Sequence, residues 1–581
     1  MPISLRSRPT RSAWLPPDRG DVSGPTGKSA VAGGAAASVP RSILFLLLLA
    51  FLGIWFGSLG IRSLIHSDEG RYATLALEMA RSGDWVTPRL NGFLYFEKPA
   101  FQYWMGALSF QLFGINEFSA RLWPGLAGCL TVAVVGFTAR RLWGEEAGIR
   151  AFAICGSTTW IIGNSHFLTV DAGLMLFLTV ALCAVLLAED AQGDPTGRHR
   201  WIRVAWAAMA GAVLTKGLVG LVIPGCTLAL VSLWRRDLGL WRRMQPGPGL
   251  LVFLALASPW FVLVALRNPG FAEFFFVHEH FARFLTTVHR REGAWWYYLP
   301  LLVGGFLPWT SALPWLVRGG KPGDQAGHGM AGQWLVAWCG FIFVFFSLSG
   351  SKLPSYILPM FPALALLLAQ RLRDADIASL RWHLLVPALV WLAVLIASTQ
   401  IQHFRPAGTP AEVMGAFGVG FRIAALLFLA SAALAWACLR RHRVTAALLS
   451  VAMGHLLAAT VLMQSHQAYG QLKSASPFAA TVLRSVGEDA PVFAVKSYDQ
   501  TLPYYLRKNV VLVDYVDEFA FGQSKEPGKA IATLEEFMVR WRSLPRAAAY
   551  MNHHTWRELT QAGLPMRVVF ADQRRLVVTK P

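Results

Sequence analysis

The sequence predicts a mainly α-helical, polytopic membrane protein with about thirteen transmembrane helices. It adds interfacial helices in the outer loops and a small C-terminal α/β domain. Three observations predict this. Apolar runs of spanning length recur between residues 43 and 464. The composition is 54% hydrophobic and only 15% charged, a balance that excludes an ordinary soluble globule. From about Ser465 the pattern changes to short β-rich runs alternating with helical stretches.

The elements follow in order. Residues 1–40 are rich in Pro, Gly, Ser, Ala and Arg and lack apolar periodicity, which predicts a disordered cytoplasmic tail. AAASVP resembles a cleavage site but precedes the run from Ile43 to Gly60, so that run reads as an uncleaved first span. Further runs cover 121–140, 148–165, 169–188, 203–216, 218–234, 250–266, 298–317, 333–349, 355–370, 384–400, 421–439 and 445–464. Arg140 and Arg141, Arg198 and Arg200, Arg235 and Arg236, Arg371 and Arg373, and Arg440 and Arg441 fall in alternate loops. Those loops are therefore cytoplasmic, and an odd span count puts the C-terminus outside. The chain divides into the tail 1–40, a transmembrane domain 41–464 with outer loops 61–120 and 267–298, and an outer α/β domain 465–581. In that last domain VFAVKS, VVLVDY, AAAYMN, MRVVFAD and RRLVVTK read as strands, and Lys529 to Arg542 as a helix. Asp499, Asp514, Asp517 and Glu518 read as solvated surface.

The formal charge of +20 is explained by the cytoplasmic arginines and by anionic membrane lipids, without nucleic acid. The six cysteines lie within apolar runs and show no CxxC or Cys/His ligand spacing, which predicts no disulfide framework.

The informative charges are those on the outer side. The stretch IHSDEGRYATLALEMARSGDWVTPRLNGFLYFEKPAFQYW carries Asp68, Glu69, Arg71, Glu97 and Lys98. Tyr72, Leu75, Ala76 and Met79 recur at helical spacing within it. Asp171 opens a span, and Lys216 lies between two. The 267–298 loop holds His278, Glu279, His280 and Arg283. Lys352 and Tyr356 fall in SGSKLPSYILP. Ionisable groups beside hydrocarbon usually face a cavity or a partner. A set this mixed in sign suits a site that handles an anion beside a carboxylate. Simpler readings stand beside this one. Asp68 is also a good helix N-cap, and Lys98 can snorkel to headgroups. Asp171 and Lys216 can pair across neighbouring spans. The two histidines of HEH diverge on a helix, so a single His joined by a distant Glu is the better metal pattern.

SDEGRYATLALEM, LYFEKPAFQYW, TVDAGLM, LTKGLVGLVIPG, FFFVHEHFARF and SGSKLPSYILPMFPAL resemble membrane glycosyltransferases of the C-type fold. Among these they are most similar to the bacterial lipid A aminoarabinose transferases, relatives of the protein O-mannosyltransferases. The resemblance implies a multi-pass inner-membrane enzyme with a cytoplasmic N-terminus and a periplasmic C-terminal domain. It implies transfer of 4-amino-4-deoxy-L-arabinose from undecaprenyl phosphate to a lipid A phosphate. Carried over residue by residue, it makes Asp68 the catalytic carboxylate. Lys98, Arg283 and Tyr356 would hold the donor phosphate. Glu69, Arg71, Tyr72, Tyr95, Asp171 and Lys216 would line the substrate cavity. Glu97 and His278 match positions associated with a divalent, zinc-like metal ion. Glucosamine or mannose as the sugar would fit the same spans. A transporter or flippase would show internal repeats, and none is visible.

Overall fold

The computed structural model describes residues 39–581, except 192, 283–292, 318–328, 374, 376 and 407–408 and the side chains of 279–282 and 317. The chain is mostly helical. Among the described residues seven helices are long and apolar enough to cross a membrane unaided. They are Glu117–Trp143, Asp171–Asp190, Pro246–Arg267, Met330–Leu348, Ile377–Ser398, Ala411–Arg440 and the helix opening at Val444. An eighth candidate is the pair Tyr298–Gly305 and Thr310–Leu316, bent by 116° around Pro308.

The remaining apolar runs are shorter or broken, for local reasons. Arg41–Gly57 and Val219–Arg235 have 17 residues each. The 148–165 run splits into Glu145–Ser157 and Thr159–Ser165, because Thr158 is extended (φ −68°, ψ 122°). Its hydroxyl donates to the Ile154 carbonyl instead of continuing the helix (2.8 Å). The 355–370 run opens as a 3-10 turn, Pro354–Met360, before Phe361–Arg371.

The segment between Gly57 and Glu117 is folded. Two helices, the amphipathic Asp68–Ser82 and the more uniformly apolar Phe101–Phe113, flank a two-stranded ribbon of β1 (Arg89–Leu90) and β2 (Phe93–Leu94). Tyr72, Leu75, Ala76 and Met79 are all buried, as their spacing predicts.

The segment after Gly470 forms a five-stranded sheet: β3 (Val492–Val495), β4 (Val511–Val513), β5 (Ala548–Met551), β6 (Arg567–Ala571) and β7 (Leu576–Thr579). Its order is β4-β3-β5-β7-β6, parallel around β3 and antiparallel around β7. Alternation along the strands separates two cores. Phe493, Val495, Val513 and Val578 pack under Phe537 and Trp541. Val492, Ala494, Leu512 and Val577 face the other way and share one core with Leu75, Leu90, Phe93 and Phe96 of the folded segment that follows Gly57. The helix expected from Lys529 starts only at Leu534, capped by Thr533. Pro527 and Gly528 form a 3-10 turn, and Ile531 bridges to Val513.

The sheet domain is seated directly on the Asp68–Ser82 helix and the β1–β2 ribbon. A Cβ on Gly70 would come within 2.5 Å of the backbone of Gln500 and Thr501, so the helix carrying the acid pair approaches as closely as glycine permits. Asn91 adds a two-way bond to Val510: Nδ2 to its carbonyl (2.8 Å), Oδ1 from its N–H (2.7 Å). All six cysteines are free thiols.

Candidate active site

The acid pair opens the Asp68–Ser82 helix, and the two carboxylates take opposite courses. Ser67, not Asp68, is the N-cap, and no side chain caps this end. Asp68 is instead the first helical residue, with its side chain 52% exposed. Arg71, one turn on, donates from Nη1 to Asp68 Oδ1 (2.6 Å). The Arg71 Nε donates to Glu518 of the sheet domain. Gln500 holds the other Glu518 oxygen (3.0 Å). One guanidinium therefore bridges the exposed carboxylate and a buried one from the far end of the chain.

Glu69 points the other way. It is 2% exposed, and every acceptor direction is used. Arg121 donates from Nε to Oε1 (2.6 Å) and from Nη2 to Oε2 (2.8 Å). The N–H groups of Leu168 (3.1 Å) and Ile65 (3.2 Å) complete the shell. Burial pushes this carboxyl up, but the Arg121 charge, its hydrogen bonds and Arg62 hold it net below the ordinary carboxylate range. Arg121 also holds the Leu59, Arg62 and Ser63 carbonyls. The expected cavity role for Glu69 gives way to a structural one. Its carboxylate has no lone pair left for a substrate.

Phenols surround Arg71. Tyr72 stacks on Tyr103 with ring centroids 6.2 Å apart. Burial raises both phenols well above their ordinary range, assisted by Asp68 for Tyr72 and by Glu97 for Tyr103. Tyr95 is raised likewise by burial and then Glu97. All three are protonated donors at neutral pH. Burial disfavours the Arg71 charge, but Tyr95, Glu518 and Asp68 more than restore it. Glu518 stays above its ordinary value, because burial and Glu97 outweigh the single guanidinium it shares.

A second group lies at helix ends. Asp171 opens Asp171–Asp190 and Lys216 closes Pro195–Lys216. Each charge complements its helix dipole, and the two form a salt bridge. The Lys216 ammonium lies 4.9 Å from the Tyr356 ring centroid. Asp171 also acts electrostatically on Tyr72, which ties this group to the first.

Lys98 donates from Nζ to the Glu97 carbonyl (2.7 Å). Glu97 and His278 flank one aromatic patch. Phe96 packs on Phe521 (5.5 Å), Phe521 on Phe274 (4.6 Å), and Phe274 stacks on the His278 ring (5.3 Å). Among the described residues no three His, Cys, Asp or Glu side chains gather to hold a metal ion. Glu97 and His278 by themselves would supply two of the three or four protein ligands that a zinc ion takes. Arg283 lies outside the described residues.

Sequence reading missed Arg121, Tyr103, Gln500 and Glu518. Arg121 carried a signal, as an arginine near the start of a long apolar helix. Glu518 carried none, and the expectation of solvated surface is corrected for it and for Asp499. Asp499 is 3% exposed, paired with Arg575 (2.7 Å) and accepting from the N–H and hydroxyl of Thr501.

Comparison with known proteins agrees with this arrangement. Residues 478–580 match the aminoarabinose transferase C-terminal domain, and residues 42–282 match the dolichyl-phosphate-mannose-protein mannosyltransferase family. The undecaprenyl phosphate-alpha-4-amino-4-deoxy-L-arabinose arabinosyl transferase 2 of Pseudomonas fluorescens is 32% identical over 421 residues, covering 71% of this chain and 70% of that protein. This chain belongs to the aminoarabinose transferase family. The corresponding Pseudomonas aeruginosa transferase is 35% identical over 376 residues, 63% of this chain and 67% of the other. Crystal structures of ArnT from Cupriavidus metallidurans, bound to undecaprenyl phosphate and in the apo state, are 36% identical. Both cover 93% of this chain and 98% of theirs, with TM-scores of 0.89 and 0.87. The likeness to these aminoarabinose transferases runs through both the helical bundle and the terminal sheet.

Proposed function

We propose that this chain transfers 4-amino-4-deoxy-L-arabinose from undecaprenyl phosphate to a phosphate of lipid A, at the periplasmic face of the bacterial inner membrane. The observation that carries the reading is Asp68. It is half exposed, oriented by Arg71 and close enough to Tyr72 to help keep that phenol protonated. The similar ArnT structure bound to undecaprenyl phosphate supports the donor.

In this reading a lipid A phosphate oxygen attacks the anomeric carbon. The bond from that carbon to the donor phosphate oxygen breaks, and its electron pair leaves with undecaprenyl phosphate. Lys98, Arg283 and Tyr356 hold the donor phosphate, and preorganised cations stabilise the charge it gains. The acceptor is already an anion, so no strong base is needed. Asp68 is the catalytic carboxylate beside the reacting carbon, and Arg71, Tyr72, Tyr95, Asp171 and Lys216 line the cavity. Eight spans, counting the bent pair, together with the shorter, broken or less apolar helical segments at 41–57, 145–165, 195–216, 219–235 and 354–371, support a thirteen-span reading. The domains are then 1–40, 41–464 and a periplasmic 465–581.

The test uses purified chain, undecaprenyl-phosphate-linked aminoarabinose and lipid A, with product read by mass spectrometry. Lys98→Ala and Arg283→Ala should each weaken donor use, and together act non-additively with a coupling of roughly 0.5–3 kcal/mol. Lys321→Ala is the control. Strictly additive losses would remove the shared phosphate site. Absence of sugar-modified lipid A would remove the function.

A further inference from the structure

The face of the bundle remote from Asp68 holds a cleft that the proposed reaction does not use. It lies between Arg41–Gly57 and the Glu117–Trp143, Glu145–Ser157 and Val444–Gly470 helices, with a volume of about 460 Å³. Leu44, Leu47, Leu48 and Phe51 line one wall, and Phe137 and Phe152 the other. Water needs two to four polar partners to occupy such a space, and this lining is almost wholly apolar.

Its rim is charged. Arg140 and Glu145 both border the cleft. Arg140 is 19 residues beyond Arg121 on one helix, about 28 Å along its axis. That is close to the hydrocarbon thickness of a bilayer, ~30 Å. Arg121 is bonded to Glu69 beside the active site, so Arg140 sits at the opposite headgroup level. Arg140, Arg141 and Arg41 are all exposed, and none has an ion pair among the described residues. Glu146, the next acid along, is already paired with Arg150. Three cations against Glu145 leave an excess of positive charge over an apolar slot.

We infer that this cleft is a binding site for an anionic phospholipid of the leaflet opposite the active site. One acyl chain lies between the first span and its neighbours, and the phosphate is held at Arg140. Undecaprenyl phosphate shares the chemistry of a tail and a phosphate. The cations assigned to it, however, belong to the other end of the molecule. The inference is independent of the sugar that the enzyme transfers.

The test is lipid retention by the full chain, purified in mild detergent and measured by native mass spectrometry. Phosphatidylglycerol, phosphatidylethanolamine and undecaprenyl phosphate are offered separately. Phosphatidylglycerol should be retained over phosphatidylethanolamine. Arg140→Gln should weaken it about fivefold, the effect of one arginine at a membrane surface, and leave phosphatidylethanolamine unchanged. Ala133→Phe, placed on the exposed cleft wall, should block retention of phosphatidylglycerol without altering undecaprenyl phosphate. Equal phosphatidylglycerol retention in wild type and both variants overturns the inference. So does Ala133→Phe displacing undecaprenyl phosphate alone. Should Ala133→Phe fail to fold, Arg140→Gln decides the matter by itself.

Discussion

The neighbouring acids Asp68 and Glu69 should respond in opposite ways to the same conservative change. Glu69→Gln keeps the size of the side chain and removes its charge. The Arg121 guanidinium, 0% exposed, then has no counter-charge, and an amide N–H group faces one of its donors. Breaking a buried pair in this way costs about 3–5 kcal/mol. The N–H of Leu168 or of Ile65 loses its acceptor as well. Against a domain stability of about 5–15 kcal/mol this is a large fraction. We expect the midpoint of thermal unfolding in detergent to fall on the order of 10 °C. Because unfolding of such a protein is irreversible in practice, the half-life at fixed temperature is measured beside it. Asp68→Asn breaks a partly exposed pair worth at most about 1 kcal/mol. It should leave thermal stability close to wild type while abolishing sugar transfer to lipid A. The pH dependence has a definite sign. The folded Glu69 carboxyl lies below its ordinary value, so its contribution is fully present above that value and is lost as pH falls through the folded pKa. Glu69→Gln should therefore cost stability at neutral pH and progressively less under acid. A Glu69→Gln protein as stable as wild type but inactive would refute this division, and would place Glu69 in the chemistry.

Three further outcomes are expected. Gly70→Ala puts a methyl group against the backbone of Gln500 and Thr501, which cannot yield as a side chain would. It should cost about 1–3 kcal/mol and speed proteolytic release of the C-terminal domain. Glu78 is half-buried, and desolvation drives its carboxyl up to about 8 despite the Gly92 N–H that it accepts (2.9 Å). The folded state therefore binds more protons than the unfolded one between about pH 4.5 and 8, and this group's contribution to stability falls as pH rises through that window. Glu78→Gln should flatten that fall in a thermal-stability series across pH. Glu518→Gln removes a charge-assisted hydrogen bond from Arg71, worth about 1.5–3 kcal/mol. It should lower transfer by roughly tenfold or more with the domain still docked, as read by protease resistance. Wild-type turnover would mean that Asp68 and the phenols alone position Arg71.

Much of this architecture is written locally. Hydropathy is a property of consecutive residues, so the spans appear near their expected positions. The short apolar, β-rich runs of the last hundred residues likewise mark five strands where they occur. Asp171 and Lys216 were legible as a pair because each sits at a helix end beside the same boundary. Local pattern fails where geometry turns on a single bond. Thr158 and Pro308 break two runs that hydropathy reads as continuous.

What the sequence determined by itself is the apolar helical bundle, the terminal sheet and the short list of charges set among apolar runs. These follow from solvation, because a charge beside hydrocarbon is costly wherever the chain goes next. Only the tertiary structure decided which of two adjacent acids is available. Successive residues on a helix point about 100° apart, and the face that meets Arg121 is set by how the helix docks. It also decided that Arg71 is held by Glu518, 447 residues away. That contact exists because Gly70 lets the sheet domain settle on the helix backbone. Complementarity between two surfaces distant in sequence leaves no periodic trace in either one.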